Sequence, residues 1–217
     1  MKDRPLFSVR ETLSAKGKPE NIFQQCLLDA KQFIDANSVS DILHHAFGRE
    51  ENREVVKESV RSFLHVGFLS PYRNLADMGR MAEEVGFFSG FSTLTSAVVS
   101  RELGYITGCA DIPTAIFTAK LGKRHEDASY VEVFLPDAQA SRVRKWIEDE
   151  VGTHIGLILK KPTAFIDVQA AFYNEAFQIA PFMAGKQIDS PGREASVIYY
   201  EKPCVTGKFR IEIFSPY

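Results

Sequence analysis

The 217-residue chain is poor in the features that would settle its function quickly. It has three cysteines, Cys26, Cys109 and Cys204, far apart and with no C-x-x-C pair. A disulfide framework or a zinc knuckle is therefore not expected. No run of about 18 apolar residues occurs, so no membrane span is expected. No apolar stretch follows Met1-Lys2-Asp3-Arg4, so no signal peptide is expected and the cytoplasm is the default compartment. Neither charge sign is in large excess: 26 Lys+Arg stand against 28 Asp+Glu, for a formal net charge of -2. That balance argues against electrostatic binding of nucleic acid or an anionic membrane. The G-x-G-x-x-G, G-x-x-x-x-G-K-[ST], H-E-x-x-H and G-x-S-x-G motifs are all missing. There is one Trp against 17 Phe, which points to large apolar walls in a core or a pocket. The composition fits one domain or two small ones.

Residues 1–60 read as a helical, charge-rich lead-in. Pro19 opens a stripe of Ile22, Phe23, Cys26, Leu27, Ala30, Phe33 and Ile34 at three- and four-residue steps. A second short helix runs through Ile42, Leu43, Ala46 and Phe47, and Glu50 to Ser59 reads as a third. His44 and His45 are neighbours on a helix and cannot share a face, which reads as a surface pair.

Past residue 60 the texture becomes mixed. Strands are expected at 61–70, Thr93–Ser100, Tyr105–Thr107, Thr114–Leu121, Tyr130–Leu135, His154–Leu159, Ser196–Tyr200 and Phe209–Phe214. Helices are expected at 73–86 and Ala138–Val151. Residues 163–182 fit a helix but sit in β-rich surroundings. The fold class is α+β. The expected division is a helical N-terminal region, 1–60, and a paired βαβββ domain, 61–217.

Self-similarity is the main organising feature. His65-Val-Gly-Phe-Leu-Ser-Pro71 and Tyr130-Val-Glu-Val-Phe-Leu-Pro136 are both strands closed by Pro, 65 residues apart. Each leads into a helix ending in Val-Gly. The units resemble those of the vicinal oxygen chelate superfamily, which includes glyoxalase I and extradiol dioxygenases. The stretch HVGFLSPYRNLADMGRMAEEVGF looks like one module opening, and YVEVFLPDAQASRVRKWIEDEVG like a second with Tyr130 at the His position. The ending ASVIYYEKPCVTGKFRIEIFSPY resembles the last hairpin. A likeness to the small YecM-like bacterial proteins is also present. The resemblance implies two βαβββ-type repeats forming one curved-sheet cup. It puts ligand slots at His65, Tyr130 and Glu212, and a fourth on the last strand of unit one, expected at 114–121, which has no carboxylate.

Strand alternation supplies the residues. Each strand has an aliphatic face and a mixed one. The mixed faces carry His65, Tyr130, Glu132, Phe134, His154, Arg210, Glu212 and Phe214. Imidazoles with carboxylates suit a divalent Zn, Ni, Fe or Mn ion. The expected metal ligands are His65, His154 and Glu212, with Glu132 an alternative to His154. Glu132 and Tyr130 are the candidate catalytic groups. Arg210, Phe134 and Phe214 are the candidate substrate contacts. The expected partner is a small oxygenated molecule, with a homodimer as a possible assembly. Two other readings stay open: a metal-free small-molecule binding protein, and a protein-interaction module built on the N-terminal helices. His125, in the basic turn 120–125, reads as solvated.

Overall fold

A computed structural model describes residues 5–121, 129–189, 193–205 and 207–216, with the side chains of 89–93, 182–189, 193, 194 and 216 set aside. His125 lies outside the described residues. No helix among them is long and apolar enough to cross a membrane.

Four helices form the lead-in: α1 (Arg10–Leu13), α2 (Pro19–Ala36), α3 (Val39–Ala46) and α4 (Glu50–Ser59). Pro19 occupies the first turn of α2, where its missing N–H costs nothing. Ser38 and Asp41 form a reciprocal capping box at the start of α3. Phe23, Cys26, Leu27 and Ala30 form the buried face of α2.

The remainder is β1 (Val60–Leu69), α5 (Leu75–Glu84), β2 (Phe88–Thr95), α6 (Ala97–Thr107), β3 (Thr114–Lys120), β4 (Tyr130–Pro136), α7 (Ala140–Glu148), β5 (His154–Leu159), a 3-10 turn and α8 (Phe165–Asn174), β6 (Gln178–Asp189), β7 (Arg193–Cys204) and β8 (Gly207–Pro216). All eight strands join one mixed sheet in the order β2-β3-β4-β1-β5-β8-β7-β6. The order is symmetric about the β1–β5 pair. β1 runs parallel to β4 and β5 parallel to β8, while β1 and β5 are antiparallel. Two βαβββ units therefore lie side by side: β1-α5-β2-β3-β4 and β5-α8-β6-β7-β8. Helix α7 connects them.

This corrects the expected position of the repeat. The second unit opens at His154, not at Tyr130. Tyr130 begins β4, which hydrogen-bonds along both β3 and β1 and so closes unit one. A strand followed by Pro and a helix describes the β4-to-α7 exit as well as the β1-to-α5 entry, so the sequence echo matched a module's end to a module's start. Strands expected at 93–100 and 105–107 are also corrected. β2 stops at Thr95 and residues 97–107 are helical. The Ser96 side chain accepts the Val99 N–H at the N-cap, and Gly108 closes the helix in the left-handed region, φ 70°. The ambiguous segment 163–182 divides: residues 165–174 are helical, as the apolar period suggests, and β6 begins at Gln178.

The aliphatic back of the four central strands is covered. Val66, Phe68, Val131, Val133, Ile155, Leu157, Ile211 and Ile213 are all buried. α2, α4 and α7 pack on β1, and Phe7 reaches Phe68 at 6.4 Å between ring centroids. The opposite, mixed face holds the ionisable groups.

Candidate metal centre

The two units meet at β1 and β5, and each supplies the same short motif: His65-Val66-Gly67 and His154-Ile155-Gly156. Antiparallel pairing sets His65 opposite Gly156 and Gly67 opposite His154. Each glycine makes room for the other strand's ring. A Cβ on Gly67 would stand 2.1 Å from His154 Cε1, and one on Gly156 would stand 2.4 Å from His65 Cε1. No side chain larger than hydrogen fits at either place. The two imidazoles thus meet over the sheet axis, with their Nε2 atoms 2.9 Å apart.

The last strand of each unit supplies a carboxylate. Tyr130-Val-Glu-Val-Phe134 on β4 and Arg210-Ile-Glu-Ile-Phe214 on β8 share one pattern. Glu132 pairs with Gly67, and Glu212 with Gly156. Glu212 Oε2 lies 2.7 Å from His65 Nε2 and 3.4 Å from His154 Nε2. Glu132 Oε2 lies 3.7 Å from His65 Nε2. All four donor atoms fall within 4.8 Å of one another, and all four residues are buried. The expected last strand of unit one, 114–121, is therefore corrected to β4, which does carry a carboxylate.

Hydrogen bonding sets the direction of the donors. His154 Nδ1 sits 2.9 Å from the Gly152 carbonyl, which can only accept, so Nδ1 carries the proton. In neutral His154 the Nε2 lone pair then faces inward, toward the other donors. Glu212 Oε2 is buried without a well-formed hydrogen bond, despite its approach to His65. Lone pairs this close and this dry require a positive charge among them, from a proton or a cation. The fit to a cation is good. Metal–ligand bonds of about 2.0–2.2 Å place neighbouring donors about 3.0–3.6 Å apart, close to the spacing seen here. Two imidazoles with two carboxylates suit Zn, Ni, Fe(II) or Mn(II).

Burial alone would raise the Glu212 pKa. The neighbouring His65 imidazole first, then His154, outweigh it when they carry a proton and pull it below the ordinary carboxylate range. Tyr199 on β7 faces Glu212 across the strand pair. Burial first, then the charges of Glu212 and Glu132, push its phenol well above the ordinary range. Its hydrogen bond to Glu212 is consequently a donated one. Tyr199 was missed in sequence because nothing but strand register brings it here.

The other sequence candidates fall as follows. The Tyr130 ring packs beside His65 at 4.9 Å between centroids, half-buried at the start of β4. Phe134 lies 5.7 Å from the His154 ring, and Tyr199 5.0 Å from it. Phe214 is buried on the same face of β8 as Glu212. Arg210 shares that face, but it is engaged: Nε donates to Glu201 at 2.8 Å, and Nη2 donates to Glu102 of α6. His44 is exposed, and His45 packs edge-on against Phe209 at 5.4 Å. Neither joins the cluster.

No family model matches the chain, and no curated protein matches it. Among solved structures it is similar to a variant of 4-hydroxymandelate synthase from Streptomyces coelicolor, with a TM-score of 0.45 and 10% identity, over 71% of this chain and 47% of that one. The chain thus spans about half the length of that protein.

Proposed function

We propose that this chain is a glyoxalase/dioxygenase-like protein that holds a divalent metal through His65, His154 and Glu212, with Glu132 beside them, and acts on a small oxygenated molecule. The observation that carries the reading is the convergence of four buried donors, two from each unit, with His154 oriented by the Gly152 carbonyl. A bound metal would polarise a carbonyl or hydroxyl oxygen as a Lewis acid. The chain's own residues do the rest. Gly67 and Gly156 fix the two rings, and Tyr199 donates to Glu212 and holds its orientation. Glu132, the carboxylate farther from His65, is the group assigned to accept or return a substrate proton. Phe134 and Phe214 exclude water from the same face.

Metal analysis of the full chain, purified without chelator, tests this together with His65→Ala and Glu212→Ala. About one equivalent of metal in the parent and a loss of it in both variants is the expected result. A parent protein that neither carries nor takes up Zn, Ni, Fe(II) or Mn(II) refutes the reading.

A further inference from the structure

Helix α6 has no counterpart among the described residues of the second unit. It is inserted between β2 and β3, whereas β6 and β7 are separated only by residues 190–192. α6 packs against β3 and β6, one strand from each unit, and sends Glu102 onto Arg210. Arg210 stands two residues before Glu212 on one strand face, so their Cα atoms are about 7 Å apart. The Arg210 side chain is 2% exposed.

The pairing around Arg210 is uneven. Glu201, directly across the β7–β8 ladder, takes Nε. Glu102 meets Nη2 with one oxygen only. Nη1 of Arg210 and Oε2 of Glu102 are both buried without a hydrogen-bond partner among the described residues. A guanidinium fork accepts a planar carboxylate with two parallel bonds. Glu102 uses half of that fork and leaves two buried polar groups unsatisfied. Buried polar groups of native proteins are almost always paired, so this edge of Arg210 is shaped for an occupant other than Glu102. The local charge is balanced as it stands. Arg210 and Lys208 are matched by Glu201 and Glu102, with Lys208 bound to Glu201 at 2.7 Å. Exchanging the Glu102 carboxylate for another carboxylate keeps that balance, whereas a neutral ligand or a dianion would break it.

We infer that Arg210 is the anion anchor of the centre, that its ligand is the carboxylate of a small organic acid, and that Glu102 on α6 occupies this seat as an internal stand-in. This rests on the proposed metal centre for the rest of the ligand, since the acid's other oxygens would lie toward Glu212. The acid's carboxylate takes this seat only once the Glu102 side chain has left it. Until then a carboxylate ligand competes with an intramolecular one, which lowers its apparent affinity.

Calorimetric titration of the full chain with pyruvate, methyl pyruvate and inorganic phosphate tests the inference. Each titration is run on the metal-free and the Zn-loaded protein. The Glu102→Gln variant removes the competing charge and should bind pyruvate about tenfold more tightly than the parent. Methyl pyruvate, which lacks the carboxylate, should gain nothing from that substitution. Arg210→Gln leaves a buried carboxylate unpaired, so the folded control is the double variant Glu102→Gln/Arg210→Gln, checked by circular dichroism. It should lose the pyruvate affinity while keeping the parent's metal stoichiometry. Equal affinity of the parent and Glu102→Gln for pyruvate, or pyruvate binding retained in the double variant, overturns the inference. Tighter binding of phosphate than of pyruvate overturns the carboxylate class. Failure of the metal-centre reading is distinguishable, because it appears as missing metal in every variant and leaves the metal-free pyruvate titrations to decide on Arg210.

Discussion

Gly156→Ala is the most direct probe of the centre, because it adds one methyl group and removes no polar atom. The added Cβ would stand 2.4 Å from His65 Cε1 and 2.6 Å from both ring nitrogens. Ordinary carbon contacts begin near 3.5 Å, so the ring must retreat by about 1 Å. The strand cannot yield instead, since Gly156 is paired on one side to His65 and on the other to Glu212. Metal sites tolerate about 0.2 Å in ligand distance. The variant should therefore lose the His65 ligand and bind Zn more weakly than the roughly 10–100-fold loss that follows removal of an outer-shell partner. Overpacking should cost the metal-free fold about 1–3 kcal/mol, which at this chain length lowers the melting temperature by roughly 2–12 °C. Zn titration calorimetry and thermal melting read the two effects separately. Gly67→Ala should behave alike through His154. Gly48→Ala serves as the matched control, because its Cβ would meet the nearest atom, a Glu175 carboxylate oxygen, at 3.5 Å. Parental Zn affinity in both Gly156→Ala and Gly67→Ala would falsify the assignment of the two imidazoles.

Three further outcomes follow from the scaffold. Glu175 accepts from the Gly48 and Arg49 N–H groups and from the Asn52 side chain, each at 2.8 Å, and ties the lead-in to the end of α8. Burial pushes its pKa up, but the bonds from Asn52, Gly48 and Arg49 leave it below the ordinary value. A depressed carboxyl stabilises above its unfolded pKa and loses that effect as the pH falls through the folded one. Glu175→Gln should accordingly cost about 1–2 kcal/mol in urea denaturation at pH 7, and the difference should vanish in the acid range; an equal cost at both pH values contradicts it. Glu150 shows the opposite sign. Burial raises its pKa against bonds from Ser8 and Thr153, so its stabilisation is complete at low pH and is lost as the pH rises through the raised value. Glu150→Gln should raise the melting temperature at pH 8 relative to the parent and lose that advantage at pH 4. Phe172 is fully buried among Phe47, Phe177 and Tyr200, with centroid distances of 5.0, 5.0 and 4.3 Å. Phe172→Ala should cost about 3–5 kcal/mol in denaturant titration.

The sequence by itself determined the element types wherever apolar spacing was strong. The α2 and α3 stripes and the aliphatic faces of β1, β4, β5 and β8 follow from local periods of 3.6 and 2. It also determined which residues share a strand face, because alternation is a property of the chain. His65, Glu132, His154 and Glu212 were therefore all among the sequence candidates. Register and strand order were decided elsewhere. Whether Tyr130 opens a unit or closes one depends on which strands it pairs with, and only the β1–β4 and β3–β4 ladders answer that. The matching His-x-Gly pairs at 65–67 and 154–156 were legible in the sequence, but their meaning was not. The glycines matter because an antiparallel ladder sets each beneath the opposite ring. Residues 97–100 and 105–107, expected as strand for their β-branched content, are helical because Ser96 and Gly108 cap the segment. Glu102, Tyr199 and Glu201 carry no local signal at all. They reach the centre through a helix inserted between two strands and through pairing across β7 and β8, distances that only the folded chain closes.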